Sequence, residues 1–164
     1  MNIEYTREPV HIDPGPMLEA RIIGVDGDSG AGKSRLADEI RAVLGGGQII
    51  RADLGLDGDP DADYLGHLNM ACLSNAIAIA ARPIIVEGIR LLDVLDEVGV
   101  RADYLIFVRR KIVGLAFTPK ARSRELDEYY RRRDPERAAD LLVTTTEHWE
   151  VSARPEARGT RPRT

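Results

Sequence analysis

Cysteine is nearly missing from this chain: Cys72 stands alone among 164 residues. An internal disulfide and a cysteine-built zinc site are both excluded, which suits a reducing compartment. Histidine is sparse too, and His11, His67 and His148 lie too far apart to form a metal-spaced pair. No apolar run approaches the roughly 18 residues of a membrane-spanning helix, so no membrane partner is expected. The opening segment 1–16 carries acids and prolines without an apolar stretch, so no secretory signal is read there and a cytoplasmic location is expected. Positive charge is not in surplus: 23 basic residues face 27 acidic ones, a net charge of -4. A global basic footprint is therefore lacking, and no nucleic-acid partner is expected.

What is present is the composition of one soluble domain, 43% hydrophobic and 30% charged, with enough chain to bury a single core. Residues 1–19, with Pro9, Pro14 and Pro16, read as an N-terminal arm in which Ile3–Thr6 could pair as a short edge strand. Residues 20–152 form the expected domain. Residues 153–164 hold four arginines and two prolines with almost no apolar content, and read as a disordered tail.

Within the domain, short apolar runs alternate with helical patterns. Strands are predicted at 21–26, 48–53, 83–87, 104–108 and 141–145. Helices are predicted at 32–44, with Leu36, Ile40, Val43 and Leu44 on one face, at 64–81 as a well-buried helix with Cys72 in the core, at 89–98, and in parts of 120–139 broken at Pro135. His67 reads as structural and Trp149 as packing. The expectation is an α/β doubly wound fold, a five-stranded, mainly parallel sheet with helices on both faces.

The first strand runs into Gly27-Asp28-Ser29-Gly30-Ala31-Gly32-Lys33-Ser34, a complete G-x-x-x-x-G-K-[ST] pattern. Glycines let the backbone curl its N–H groups around a phosphate, and the following helix adds its N-terminal dipole. Lys33 supplies a cation at the β- and γ-phosphates, and the Ser34 hydroxyl suits a magnesium ion. Residues 27–35, Arg35 included, are the candidate nucleotide-binding segment, with Asp28 expected to point away from the phosphates. Two carboxylates end the next strands, Asp53 and Glu87. In a parallel sheet such ends converge on one crevice, so both are candidates for the magnesium shell beside Ser34.

The succession GVDGDSGAGKS, IIRAD, PIIVEGIRLLD, DYLIFVRR and YYRRRDPERAADLLV resembles the uridine kinase and phosphoribulokinase group of P-loop kinases over residues 20–145. The E-G turn at Glu87-Gly88 and the P-x-x-x-A-D segment from Pro135 to Asp140 carry the resemblance beyond the loop. It implies that the fold is a nucleoside-kinase-like P-loop NTPase and that the cofactors are ATP and Mg²⁺. It further implies that Asp53 activates an acceptor hydroxyl, that Glu87 belongs to the magnesium shell, and that Asp61, in the acidic loop with Asp59 and Asp63, binds the acceptor. Two departures stand out. The segment from Asp53 to Tyr64 is too short for the group's base-gripping hairpin. The dense arginine lid after the fourth strand is replaced by Arg109-Arg110-Lys111, the apolar run 112–117, and then Lys120, Arg122 and Arg124. Arg122 and Arg124 are candidate catalytic lid residues and Arg109 a candidate acceptor contact, whereas Arg131-Arg132-Arg133 reads as a solvated face. The apolar run suits an acceptor cover or a homodimer interface.

The expected function is that of an ATP-dependent small-molecule kinase acting on a nucleoside-, sugar- or vitamin-like hydroxyl. The alternative is a regulatory nucleotide-binding module with a degenerate kinase site. A GTPase is disfavoured, because N-K-x-D is missing and no D-x-x-G closes the third strand.

Overall fold

The computed structural model describes residues 2–5, 12–55, 64–113 and 124–148. Six strands appear among them: β1 (Asn2–Tyr5), β2 (Ile22–Gly27), β3 (Gln48–Arg51), β4 (Ile84–Glu87), β5 (Tyr104–Val113) and β6 (Leu141–His148). The helices are α1 (Lys33–Val43), α2 (Met70–Ile79), α3 (Leu91–Glu97), α4 (Arg124–Arg133) and α5 (Pro135–Ala138). All strands join one sheet in the order β1-β6-β5-β2-β4-β3, and every neighbouring pair is parallel. The expected α/β doubly wound fold is therefore present, with one strand more than the five expected. The addition is Asn2–Tyr5, at the edge where Ile3–Thr6 was admitted as a possible strand; it pairs with β6 from Leu142 to Thr145.

Alternating side chains of the central strands feed two cores. Ile23 and Val25 pack with Leu36, Ala37 and Ile40 of α1 and with Met17 from a single helical turn at Gly15–Met17. Ile84 and Val86 pack on the other face with Leu73 and Ile77 of α2 and Leu91, Val94 and Leu95 of α3. Each such fully buried aliphatic side chain contributes on the order of 2 kcal/mol. Two burial expectations fail. Val43 is 47% exposed, because it lies past the stripe that α1 turns to the sheet. The helix expected over 64–81 is confined to α2, where the Asn69 side chain accepts the Cys72 N–H as an N-cap. Only Leu73 and Ile77 of α2 are buried, and Cys72 is exposed. The reason is position: α2 covers β3, the last strand of the sheet, so its outer side meets water.

From β2 the chain moves outward to β3, returns to β4 beside β2, and then crosses to β5 on β2's other side. That reversal puts a crevice at the carboxyl ends of β2, β4 and β5, where ligands of open parallel sheets bind. Among the described residues no helix is long and apolar enough to cross a membrane.

Candidate active site

The segment from Gly27 to Gly32 leaves β2 at this crevice and enters α1. Gly27 has φ 147°, and a Cβ there would lie 2.1 Å from the Val108 carbonyl oxygen, so only glycine fits between the loop and β5. Gly32, at φ 91°, is the left-handed N-cap of α1. Lys33 is 8% exposed and its Nζ donates to the carbonyls of Gly27 and Asp28, at 3.1 and 2.7 Å. Burial pushes its ammonium below the usual lysine range, and Glu87, Asp26 and Asp53 pull it back part of the way.

Strand register sets the carboxylates level: Glu87 sits opposite Val25 on one side and Arg51 on the other. Glu87 is buried, and its Oε1 accepts from the Ser34 hydroxyl at 2.7 Å and from Arg51 Nε at 3.1 Å. Asp53 lies on a single helical turn, Ala52–Gly55, just beyond β3 rather than on the strand end expected, and it is exposed. A cavity of about 330 Å³ brings together Ser29, Gly30, Gly32, Lys33, Ser34, Arg35, Asp53 and Glu87, with Ile89 completing the lining. The paired Ser34 hydroxyl and Glu87 carboxylate are hard oxygen donors of the kind magnesium takes. Among the described residues no group of three acidic, histidine or cysteine side chains could hold a metal unaided. The donor set therefore fits an ion that brings further oxygens with it.

The remaining expected site residues are placed unevenly. Asp28 Oδ1 accepts from the Tyr130 hydroxyl of α4 at 2.8 Å. Arg35 pairs with Glu39 one turn along α1. Arg109 bonds Glu136 and the Thr144 hydroxyl, at 3.3 and 3.4 Å, and is absent from the cavity wall. Arg124 is 90% exposed and pairs with Glu128 on its own helix, also away from the cavity. Asp61, Arg122, Lys120 and Trp149, like most of the apolar run and the tail, lie outside the described residues. The reading of Arg131-Arg132-Arg133 as a solvated face holds for the exposed Arg131 and Arg132, but it misses an ion cluster. Arg132 and Arg133 both bond Asp93, at 2.7 Å each, because α4 packs over the start of α3 and Asp93 is buried there.

Several loop anchors escaped sequence reasoning. Asp26 is 1% exposed; its Oδ1 accepts the Gly27 N–H at 2.7 Å and the Leu91 N–H at 3.4 Å, and its Oδ2 accepts from the Tyr129 hydroxyl. Burial raises its carboxyl above the ordinary range against those hydrogen bonds. Its signal was available, an acid inside the apolar run 21–26. Thr145 donates to the Ala31 carbonyl at 3.1 Å and ties the loop to β6. Arg110 Nη1 lies 3.4 Å from where a Cβ on Gly30 would stand. The Tyr64 hydroxyl is buried near Gly88 and is pushed up to about 12 by burial and the charge of Asp53. Arg110 belongs to the basic Arg109-Arg110-Lys111 run that stands in the lid's place, whereas Thr145 and Tyr64 carry no motif that could have been read in advance.

No family model matches the chain, and no curated protein matches it. Among solved structures the chain is similar to one described as the structure of a possible uridine kinase from Bacillus stearothermophilus. The identity is 14% and the TM-score 0.48, over 74% of this chain and 87% of that chain. The fold assignment rests on this chain's own strand order and loop, not on that likeness.

Proposed function

We propose that this chain is an ATP-dependent phosphotransferase that moves the γ-phosphoryl group of Mg·ATP to a hydroxyl of a small molecule. The observation that carries the reading is the single cavity shared by Lys33, Ser34, Asp53 and Glu87 at the end of the loop. The amides of residues 28–33 would bind the phosphates, and Lys33 would exchange its carbonyl partners for β- and γ-phosphate oxygens. Ser34 and Glu87 would hold magnesium, whose charge offsets that on the phosphates. Asp53, exposed on the cavity lining, would accept or orient the acceptor proton, as the resemblance to uridine kinases implies. Positioning and electrostatics supply most of the catalysis in transfers of this kind.

The test is ADP release from Mg·ATP across a panel of nucleosides, sugars and vitamin-like alcohols. Acceptor-dependent release, lost together with most phosphate-dependent ATP affinity in a folded Lys33→Ala variant, is the expected result. Unchanged ATP affinity in that variant would sink the assignment. One observation favours the second reading, a nucleotide-binding regulatory module: Arg109 and Arg124 are both engaged away from the cavity. Mg·ATP binding with no acceptor-dependent ADP release would support it. Either reading is compatible with a cytoplasmic protein.

A further inference from the structure

Arg51 closes β3 directly across from Glu87 in the β3–β4 register. Its Nε donates to the same Glu87 oxygen that accepts the Ser34 hydroxyl. Its Nη2 reaches Asp38 Oδ2 of α1 at 3.4 Å, so the guanidinium spans from the buried carboxylate to the helix that begins with Lys33 and Ser34. The Glu87 side chain is 4% exposed and that of Arg51 is 37% exposed. A carboxylate so buried needs a charged partner, and Arg51 is the cation bonded to it.

We infer that Arg51 is a built-in counter-cation of the metal site: it neutralises Glu87 while the loop is empty, so that a divalent ion is accepted only together with nucleotide phosphates. The inference rests on reading Ser34 and Glu87 as the magnesium-facing pair. The charges around the pair support it. Arg51 is bonded to Glu87, Lys33 faces Glu87 and Asp53 as well as Asp26 and Asp28, and Arg35 is paired with Glu39. A free dication meets Lys33 and Arg51 beside its carboxylates and no cluster of three protein ligands among the described residues. A nucleotide changes both conditions, because its phosphates bring negative charge and further hard oxygens. Asp38 remains to hold the guanidinium when Glu87 turns to the ion. Arg51→Lys would keep the charge, whereas Arg51→Met would leave the buried Glu87 without its bonded cation and with only the more distant charge of Lys33.

The test uses Mn²⁺ alone as probe, without nucleotide, followed by the electron paramagnetic resonance signal of the free ion. The full-length protein is compared with Arg51→Met and Arg51→Lys, each checked for folding by its melting curve. Arg51→Met is expected to bind Mn²⁺ at least about tenfold more tightly than the parent protein, the scale set by removing one charge a few ångströms from a dication. Arg51→Lys is expected to stay with the parent. Equal Mn²⁺ affinity in the parent and Arg51→Met, or an Arg51→Lys that follows Arg51→Met, would overturn the inference. Should Arg51→Met not fold, Arg51→Gln, which keeps a hydrogen-bond donor without the charge, is held to the same two outcomes. A parallel titration of the parent with a non-hydrolysable ATP analogue tests the nucleotide reading by itself. Its failure is visible there, while the Mn²⁺ comparison still decides Arg51.

Discussion

Glu87 ends β4 and Asp53 lies on the turn just beyond β3, and the two share one cavity but differ in their surroundings. Glu87 is buried and its Oε1 accepts from both Ser34 and Arg51, so its carboxylate is held in place before any ligand arrives. Asp53 is exposed on the cavity lining, where an incoming hydroxyl can reach it. Asp53→Asn is therefore expected to leave Mg·ATP affinity nearly intact while turnover falls by about 10²–10⁴, the range for a general base. Calorimetry for ATP and coupled ADP release on one protein sample check it. Loss of magnesium-dependent ATP affinity in that variant would make Asp53 a metal-shell residue, and a lowered melting temperature alone would make it structural. The loop itself was legible at this scale, since its glycines, Lys33 and Ser34 are required by local backbone and charge. Thr145 and Tyr130 were not, because their bonds to Ala31 and Asp28 join residues more than a hundred positions apart.

Among the elements, α4 carries more than its charged sequence suggests. Tyr129 holds Asp26 under the first turn of the loop, Tyr130 holds Asp28 within it, and Arg132 and Arg133 clasp Asp93 at the start of α3. Arg90, in the left-handed region at φ 52°, adds two bonds to Asp93 and one to Glu125 of α4. Sequence periodicity shows charges on one side of this helix but not that a buried acid waits beneath two of them. Burial alone would raise the Asp93 carboxyl. The hydrogen bonds from Arg133 and Arg90 and the charge of Arg132 outweigh it and hold the group below its ordinary value of 3.8. With the folded value depressed, the stabilisation from Asp93 is complete above the unfolded value and is lost as pH falls through the folded one. Asp26 runs the other way: its raised value makes its contribution greatest below 3.8 and smaller as pH rises through the folded value. Asp93→Asn is expected to cost about 2–4 kcal/mol near neutral pH. That is less than a fully enclosed pair would cost, because Arg132 and Arg133 keep contact with water. Its difference from the parent protein should shrink as pH falls below 3.8. Denaturant unfolding at a series of pH values checks both, and a pH-independent difference would show that packing rather than the ion cluster is lost.

For the molecule as a whole, the alternation of apolar runs and helical stretches was enough to read a doubly wound parallel sheet, because a parallel pair needs a covering crossover and the pattern supplies one between each pair of core strands. Strand order was beyond that reasoning. Nothing local tells β5 to lie beside β2 or β1 to join β6, since the pairing energy comes from contacts distant in sequence. That order has a thermodynamic consequence. The loop is bonded to β2 through Asp26, to β6 through Thr145 and to α4 through Tyr130, so a ligand on it engages the folded sheet and not a detachable arm. A ligand that binds only the folded form stabilises by mass action, about 2.7 kcal/mol at a hundredfold excess over its dissociation constant. For a chain of 164 residues this corresponds to a rise in melting temperature of roughly 5–10 °C. Mg·ATP should produce that rise, and Lys33→Ala should remove most of it while its own ligand-free melting temperature stays measurable. The same shift in Lys33→Ala as in the parent would mean that ATP stabilises the chain from somewhere other than the loop.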